Sequence, residues 1–158
     1  MQLKRLGLGI RFDFLSAASE REHAQQAFEE IFSVLTLSEL EGLLIYGPQA
    51  RSYDPKDYKI GEKILFPMAT GRRVEEQTLI YRGKEEIEAN NDTIYRCLVF
   101  SFVEYKKGKE KEVITFFVSD DKNHLPIRLD MYLNFGSAKA FLKSVRGNRY
   151  PMTSVVTK

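Results

Sequence analysis

Few residues in this chain have the chemistry to act on a substrate, and their spacing argues against a catalytic centre. Cys97 is the single cysteine, and His23 and His124 are the only histidines. A reactive thiol needs exposure and a nearby positive charge or base. Cys97 instead sits inside an apolar run, where a lone cysteine behaves as a small buried hydrophobe. Its neighbour Arg96 would point to the opposite face of a strand. One cysteine also excludes an internal disulfide and any multi-thiolate metal site. The two histidines lie far apart, with no third ligand to complete a zinc site. Asp120-Asp121-Lys122-Asn123 lacks the alternating spacing and distal glutamate of a calcium loop. It reads as a turn built from side-chain-to-backbone hydrogen bonds. No Gly-rich phosphate loop, G-x-S-x-G elbow or dinucleotide fingerprint is present. The expectation is therefore a protein without catalytic residues, metal or cofactor.

The one feature open to a binding role is an aromatic stripe: Phe100, Phe102, Phe116 and Phe117, with Tyr81 and Tyr95. Such a stripe is either ordinary core or the wall of an apolar cleft for a lipid-like ligand. On the second reading Tyr81, Phe100, Phe102 and Phe117 line the site.

The elements that must position these residues are mostly strands. At 158 residues and 43% hydrophobic content, the chain has apolar mass for one ordinary domain. A net charge of +2, with signs alternating locally as in KKGKEKE, gives no footprint for nucleic acid. No apolar run approaches the roughly 20 residues of a membrane span. The N-terminus imitates a secretory leader, but Arg11 and Asp13 interrupt its apolar region too early.

Residues 6–14 alternate as a strand, weakened by Gly7 and Gly9. Ser19 with Glu22, and Thr36 with Glu39, form capping boxes that open helices over 19–46. Ala24, Phe28, Ile31, Phe32 and Leu35 make one helical face. Ile64 to Phe66 is a short strand that Pro67 should end or push to an edge. Arg73 to Arg82 is a strand turned by Gly83-Lys84, and Glu85 to Glu88 a short strand of its own. Tyr95 to Tyr105 is apolar on both faces, so it should be covered on both. Lys107-Gly108-Lys109 makes a hairpin loop, and Val113 to Val118 returns. Leu125 to Phe135 alternates, with Leu125, Ile127, Leu129, Met131, Leu133 and Phe135 inward. Gly136-Ser137 bends the chain, Ala138 to Val145 forms the last strand, and Gly147-Asn148 begins a polar tail. Connections this short force sequential strands to pair as an antiparallel meander.

Three segments carry a resemblance. ARSYDPKDYKIGEKILFPM, IYRGKEEIEANNDTIYRCLVFSF and VSDDKNHLPIRLDMYLNFGSAKAFL together resemble the C-terminal half of the exported bacterial family known as domain of unknown function 3108. Arg96-Cys97 matches its R-C strand, Asp120, Asp121, Pro126 and Ile127 match its turn into the next strand, and Gly136-Ser137 its closing strand. The likeness spans about Ala50 to Val145. It implies a curved antiparallel sheet in a Gram-negative periplasm or outer envelope. By fold analogy it also implies a half-barrel carrying lipoprotein or other apolar cargo. It brings no catalytic residues. Residues 1–49 do not resemble the family, which divides the chain into 1–49 and 50–158. The first part is either a mis-started or frameshifted frame or a genuine variant with a helical N-terminus.

The expected fold is α+β: a twisted antiparallel meander of five to seven strands, half-barrel-like, with the N-terminal helical segment packed on one face. The expected function is that of a non-catalytic envelope protein binding an apolar ligand or lipid-like cargo on the curved sheet. The alternative is a structural or assembly factor acting through a sheet edge on an envelope protein partner.

Overall fold

The computed structural model describes residues 2–5, 8–15, 58–70, 73–89, 92–133 and 136–156. The helical segment expected over 19–46 lies outside these residues, and among the described residues every element is a strand. In chain order they are β1 (Gln2–Arg5), β2 (Leu8–Leu15), β3 (Lys63–Thr70), β4 (Arg73–Glu88) and β5 (Ile94–Lys106). β6 (Lys109–Ser119), β7 (Pro126–Leu133), β8 (Gly136–Arg146) and β9 (Val155–Val156) follow. All pairs are antiparallel, in the order β1-β2-β8-β7-β6-β5-β4-β3, with β9 added beside β5. The path is open, with β1 and β3 outermost among the described strands.

Strands β3 to β8 form the expected meander, and with β2 they are the long members of the sheet. Two-residue closure explains the tightest connection. Lys106 pairs with Lys109 across Lys107 and Gly108, whose φ of 53° and 74° make the turn whose twist matches the strands. β2 enters the sheet differently. It runs antiparallel to β8 from Gly9–Arg146 to Leu15–Lys139, so this early strand is stitched to the last long one.

The structure corrects several sequence expectations. Gly83-Lys84 is no turn: β4 runs unbroken to Glu88 and absorbs the separate strand expected at Glu85 to Glu88. The register slips between Tyr81 and Gly83, leaving Arg82 as the extra residue of a β-bulge. Gly83 has φ 111° there, and a Cβ on it would stand 3.3 Å from Ile60 Cδ1. The glycine thus serves a bulge and a close approach, both of which resemble a turn signal in sequence. Pro67 takes the second course expected of it: it does not end β3 but lies on a strand outermost among those described, where its missing N–H costs no ladder bond. The polar tail ends in β9.

Residues opposite one another in the ladder share a face. One face carries the rows Tyr81, Phe100, Phe116, Leu129, Ala140 and Leu79, Phe102, Ile114, Met131, Ala138. Every member of both rows is buried. Leu125, Ile127, Leu129 and Met131 are inward as the alternation predicts. β5 is buried on both faces from Cys97 to Val103, which its doubly apolar pattern requires. Further slips at Phe102/Val103, Phe117/Val118 and Arg11/Phe12 add bulges, which bend strands and strengthen twist in an open sheet.

Candidate functional site

Three of the four aromatic residues proposed as a ligand wall come together. Tyr81 and Phe100 are cross-strand partners with ring centroids 5.3 Å apart, and Phe102 lies two residues along the same face. Tyr58, from the segment before β3, closes over both rings at 5.4 Å and 5.6 Å, the second contact edge-on. This edge-and-tilt arrangement is the one aromatic quadrupoles favour. Phe117 takes the opposite face, where it opposes Val99 and Arg128; Phe116 is the residue that joins Phe100. Relative exposures of 4% for Tyr81, 1% for Phe100, 7% for Phe102 and 6% for Phe117 put all four within the core. Burial also raises the Tyr81 phenol above its ordinary value.

The face that holds Phe117 is more polar. Arg128 stacks on Phe117, its guanidinium carbon 4.9 Å from the ring centroid, and lies 5.5 Å from Phe141 on the other side. The same guanidinium grips Asp130 through Nε and Nη2, which holds Arg128 above its usual value, and Lys139 stands 3.8 Å from the carboxylate. One row over, Ser101 and Thr115 donate to a single Glu112 oxygen, each at 2.5 Å. Arg82, the bulge residue, donates to Ser101 at 3.0 Å and to Glu110 at 2.9 Å. Tyr105 donates to Glu110 at 3.3 Å and accepts from Lys63 at 2.8 Å. The Arg82 hydrogen bond is the main reason the Glu110 carboxyl lies below its usual range. Among the described residues no buried side-chain nitrogen or oxygen lacks a partner. The network is therefore satisfied within itself, as structural polar networks are.

Most of the residues that carry the family resemblance meet at one end of the sheet, while Gly136 and Ser137 pair with Leu133 and Tyr132 at the other. Cys97 opposes Ser119 across β5 and β6, and Asp120 N donates to Arg96 O at 2.9 Å. Asp121 folds its own turn: Oδ1 accepts from Ser119 Oγ at 3.0 Å and from Asn123 N at 2.9 Å. Leu125 N donates back to Ser119 Oγ at 2.8 Å, so the loop is built by side-chain-to-backbone bonds, as its composition predicts. Cys97 is 0% exposed and its thiol is pushed up to about 12, first by burial and then by Asp120, Asp121 and Glu85. Negative neighbours and desolvation are the reverse of what activates a thiol. The described residues contain no group of three or more His, Cys, Asp or Glu side chains able to hold a metal ion.

Sequence reasoning missed two arrangements here. Ser154 Oγ donates to Asp121 Oδ2 at 2.6 Å across 33 residues, a partnership no local pattern announces. The aromatic flanks of Arg128 were likewise hidden. Alternation gave its face but not the neighbours that strand order brings to it.

Among the described residues, an open, bulged antiparallel sheet with a satisfied polar face and a sealed thiol defines the class of scaffold. The chain belongs to the family described as "Protein of unknown function (DUF3108)", which matches residues 40–143. No curated protein and no solved structure matches the chain. Among the described residues no helix is long and apolar enough to cross a membrane.

Proposed function

We propose that this chain is a non-catalytic protein of the bacterial envelope that works by contact with another polypeptide along β3. The observation that carries this reading is an outermost strand with apolar residues left in water. β3 is the last strand of the described order, its Leu65 is 47% exposed, and Ile60 just before it is 77% exposed. An exposed edge offers unpaired main-chain groups for strand addition, and flanking apolar side chains add affinity. The sealed Cys97, with its raised acidity constant, supports a role without nucleophilic chemistry. Envelope residence follows from the exported character that the family resemblance implies.

A photo-crosslinking residue in place of Leu65, in the full chain expressed in a Gram-negative host, is expected to trap a polypeptide of defined mass in the envelope fraction. The same residue at exposed Tyr132 serves as the control. Envelope protein that yields no adduct from Leu65, or equal adducts from both positions, would sink the proposal. Recovery of the protein only from the cytosolic fraction would remove the envelope assignment.

A second reading has its own observation. Tyr58, which covers Tyr81 and Phe100, comes from a non-strand segment before β3. An apolar or lipid-like ligand that displaced this cover would meet Tyr81, Phe100 and Phe102, with Phe117 behind the sheet. Added fatty acid or phospholipid is then expected to raise the melting temperature through preferential binding to the folded state. An unchanged melting temperature across the solubility range of both would end this reading.

A further inference from the structure

The chain leaves β8 at Arg146, reverses at Gly147 with φ 80°, and returns along the turn that follows β6. Asn123 receives it first. Its Nδ2 donates to the carbonyls of Tyr150 at 2.8 Å and Pro151 at 3.3 Å, while its Oδ1 accepts from Tyr150 N at 3.0 Å. Asp121 Oδ2 then accepts from Ser154 Oγ at 2.6 Å and Ser154 N at 3.3 Å. Arg96 supplies a third hold: its main-chain N donates to Ser154 O at 2.8 Å, and its guanidinium to Thr153 O at 3.0 Å. Val155 and Val156 finish against Tyr95 and Ile94 as β9, in the lane of the sheet that β6 vacates at Ser119. The apolar share is small, with Met152 and Val155 only partly buried against the core. These residues also lie beyond the family match, which ends at 143.

We infer that residues 150–156 are a strap that opens as a unit while the sheet stays folded, and that Asp121 is its latch. Closed, the strap satisfies the backbone of β5 from Ile94 to Arg96 and roofs the buried turn. Open, it leaves the main-chain groups of that stretch exposed to water. The physical basis is the balance of forces. A segment held mostly by polar bonds, with little apolar burial, opens at a lower free energy than the sheet it lies on.

Cys97 makes the opening measurable, since it is sealed, follows Arg96, and feels the Asp121 charge. The experiment is maleimide labelling of the full-length protein across low urea concentrations, alongside equilibrium unfolding. Strap opening exposes little surface, so labelling is expected to depend far less on urea than global unfolding does. Ser154→Ala, which removes a single hydroxyl from the latch, should label about tenfold faster or more, since a hydrogen bond to a charged group is lost. Asp121→Asn should do the same. Lys84→Gln, which breaks the exposed ion pair with Asp120 at 2.8 Å and leaves the latch in place, should change the rate by no more than about twofold. Labelling with the full urea dependence of unfolding in wild type and in Ser154→Ala overturns the inference. So does a Lys84→Gln rate that matches Ser154→Ala.

Discussion

Cys97 is a thiol that the fold keeps protonated. Its folded value of about 12 stands above the ordinary 9.0, so the folded state holds its proton more tightly than the unfolded chain does. Stability from this group is complete below the unfolded value and is lost as pH rises through the interval between the two. Cys97→Ala should be less stable than wild type by about 1 kcal/mol at pH 7, because a small cavity replaces the sulfur. That difference should fall by about 1.4 kcal/mol per pH unit once pH passes about 9, so that it closes and then reverses by pH 10; urea midpoints at pH 7 and pH 10 would check it. Arg128 makes the opposite case, a charge kept because it is gripped. Arg128→Ala strips Asp130 of its bidentate partner on a largely covered face and should cost about 3 kcal/mol. Arg128→Lys should recover only part of that, since an ammonium neither forks nor stacks as a guanidinium does. Both are read from denaturation midpoints. Glu110 is more exposed, so its bond with Arg82 should contribute only about 0.5 kcal/mol at neutral pH. Its folded value is depressed, so that contribution is present above the ordinary carboxylate range and lost as pH falls through it. The gap between wild type and Glu110→Gln should therefore close in acid.

At the scale of elements, two glycines separate turn chemistry from bulge chemistry. Gly108 has φ 74° with open space around it, so Gly108→Ala bears only the left-handed backbone penalty of about 1–2 kcal/mol. Gly83 has φ 111° and Ile60 Cδ1 at 3.3 Å from a notional Cβ. Gly83→Ala should cost more, about 2–3 kcal/mol, and Ile60→Ala should relieve part of it through removal of the crowding methyl groups. A double-mutant cycle on thermal stability measures that coupling. The bulges also explain why alternation read well within segments and badly between them. A strand such as β7 keeps its period, and Ile127, Leu129 and Met131 are inward as written. At Arg82 an extra residue resets the phase, and sequence alone sees a break where the ladder continues.

At the scale of the whole molecule, β2 lies against β8 over seven paired residues, so this early strand is part of the sheet's hydrogen bonding. Amide protons in the central part of β2 should therefore exchange on the same free-energy scale as their partners in β8, measured by native-state hydrogen exchange. Protection in β8 with none in β2 would mark the early strand as a separate, weaker unit. The aromatic core sets the scale of what the sheet tolerates. Phe100→Ala should cost about 3–5 kcal/mol, enough to threaten a marginally stable domain. The candidate ligand wall was legible as a run of aromatic residues, and its face assignment followed from alternation for Tyr81, Phe100 and Phe102. Whether such a wall meets ligand or core depends on what packs over it, and Tyr58 is not on that face by any sequence period.

The order of residues by itself determined the antiparallel meander, the doubly covered β5, the Lys107-Gly108 reversal, the Asp121 turn and the family. These follow from neighbours in sequence, where period, turn chemistry and short connections act directly. Tertiary structure decided the rest: the joining of β2 to β8, the continuation of β4 through Gly83, the stacking of Arg128, and the capture of Ser154 by Asp121. Each depends on which distant strands come to lie side by side, and no local pattern encodes a partner dozens of residues away.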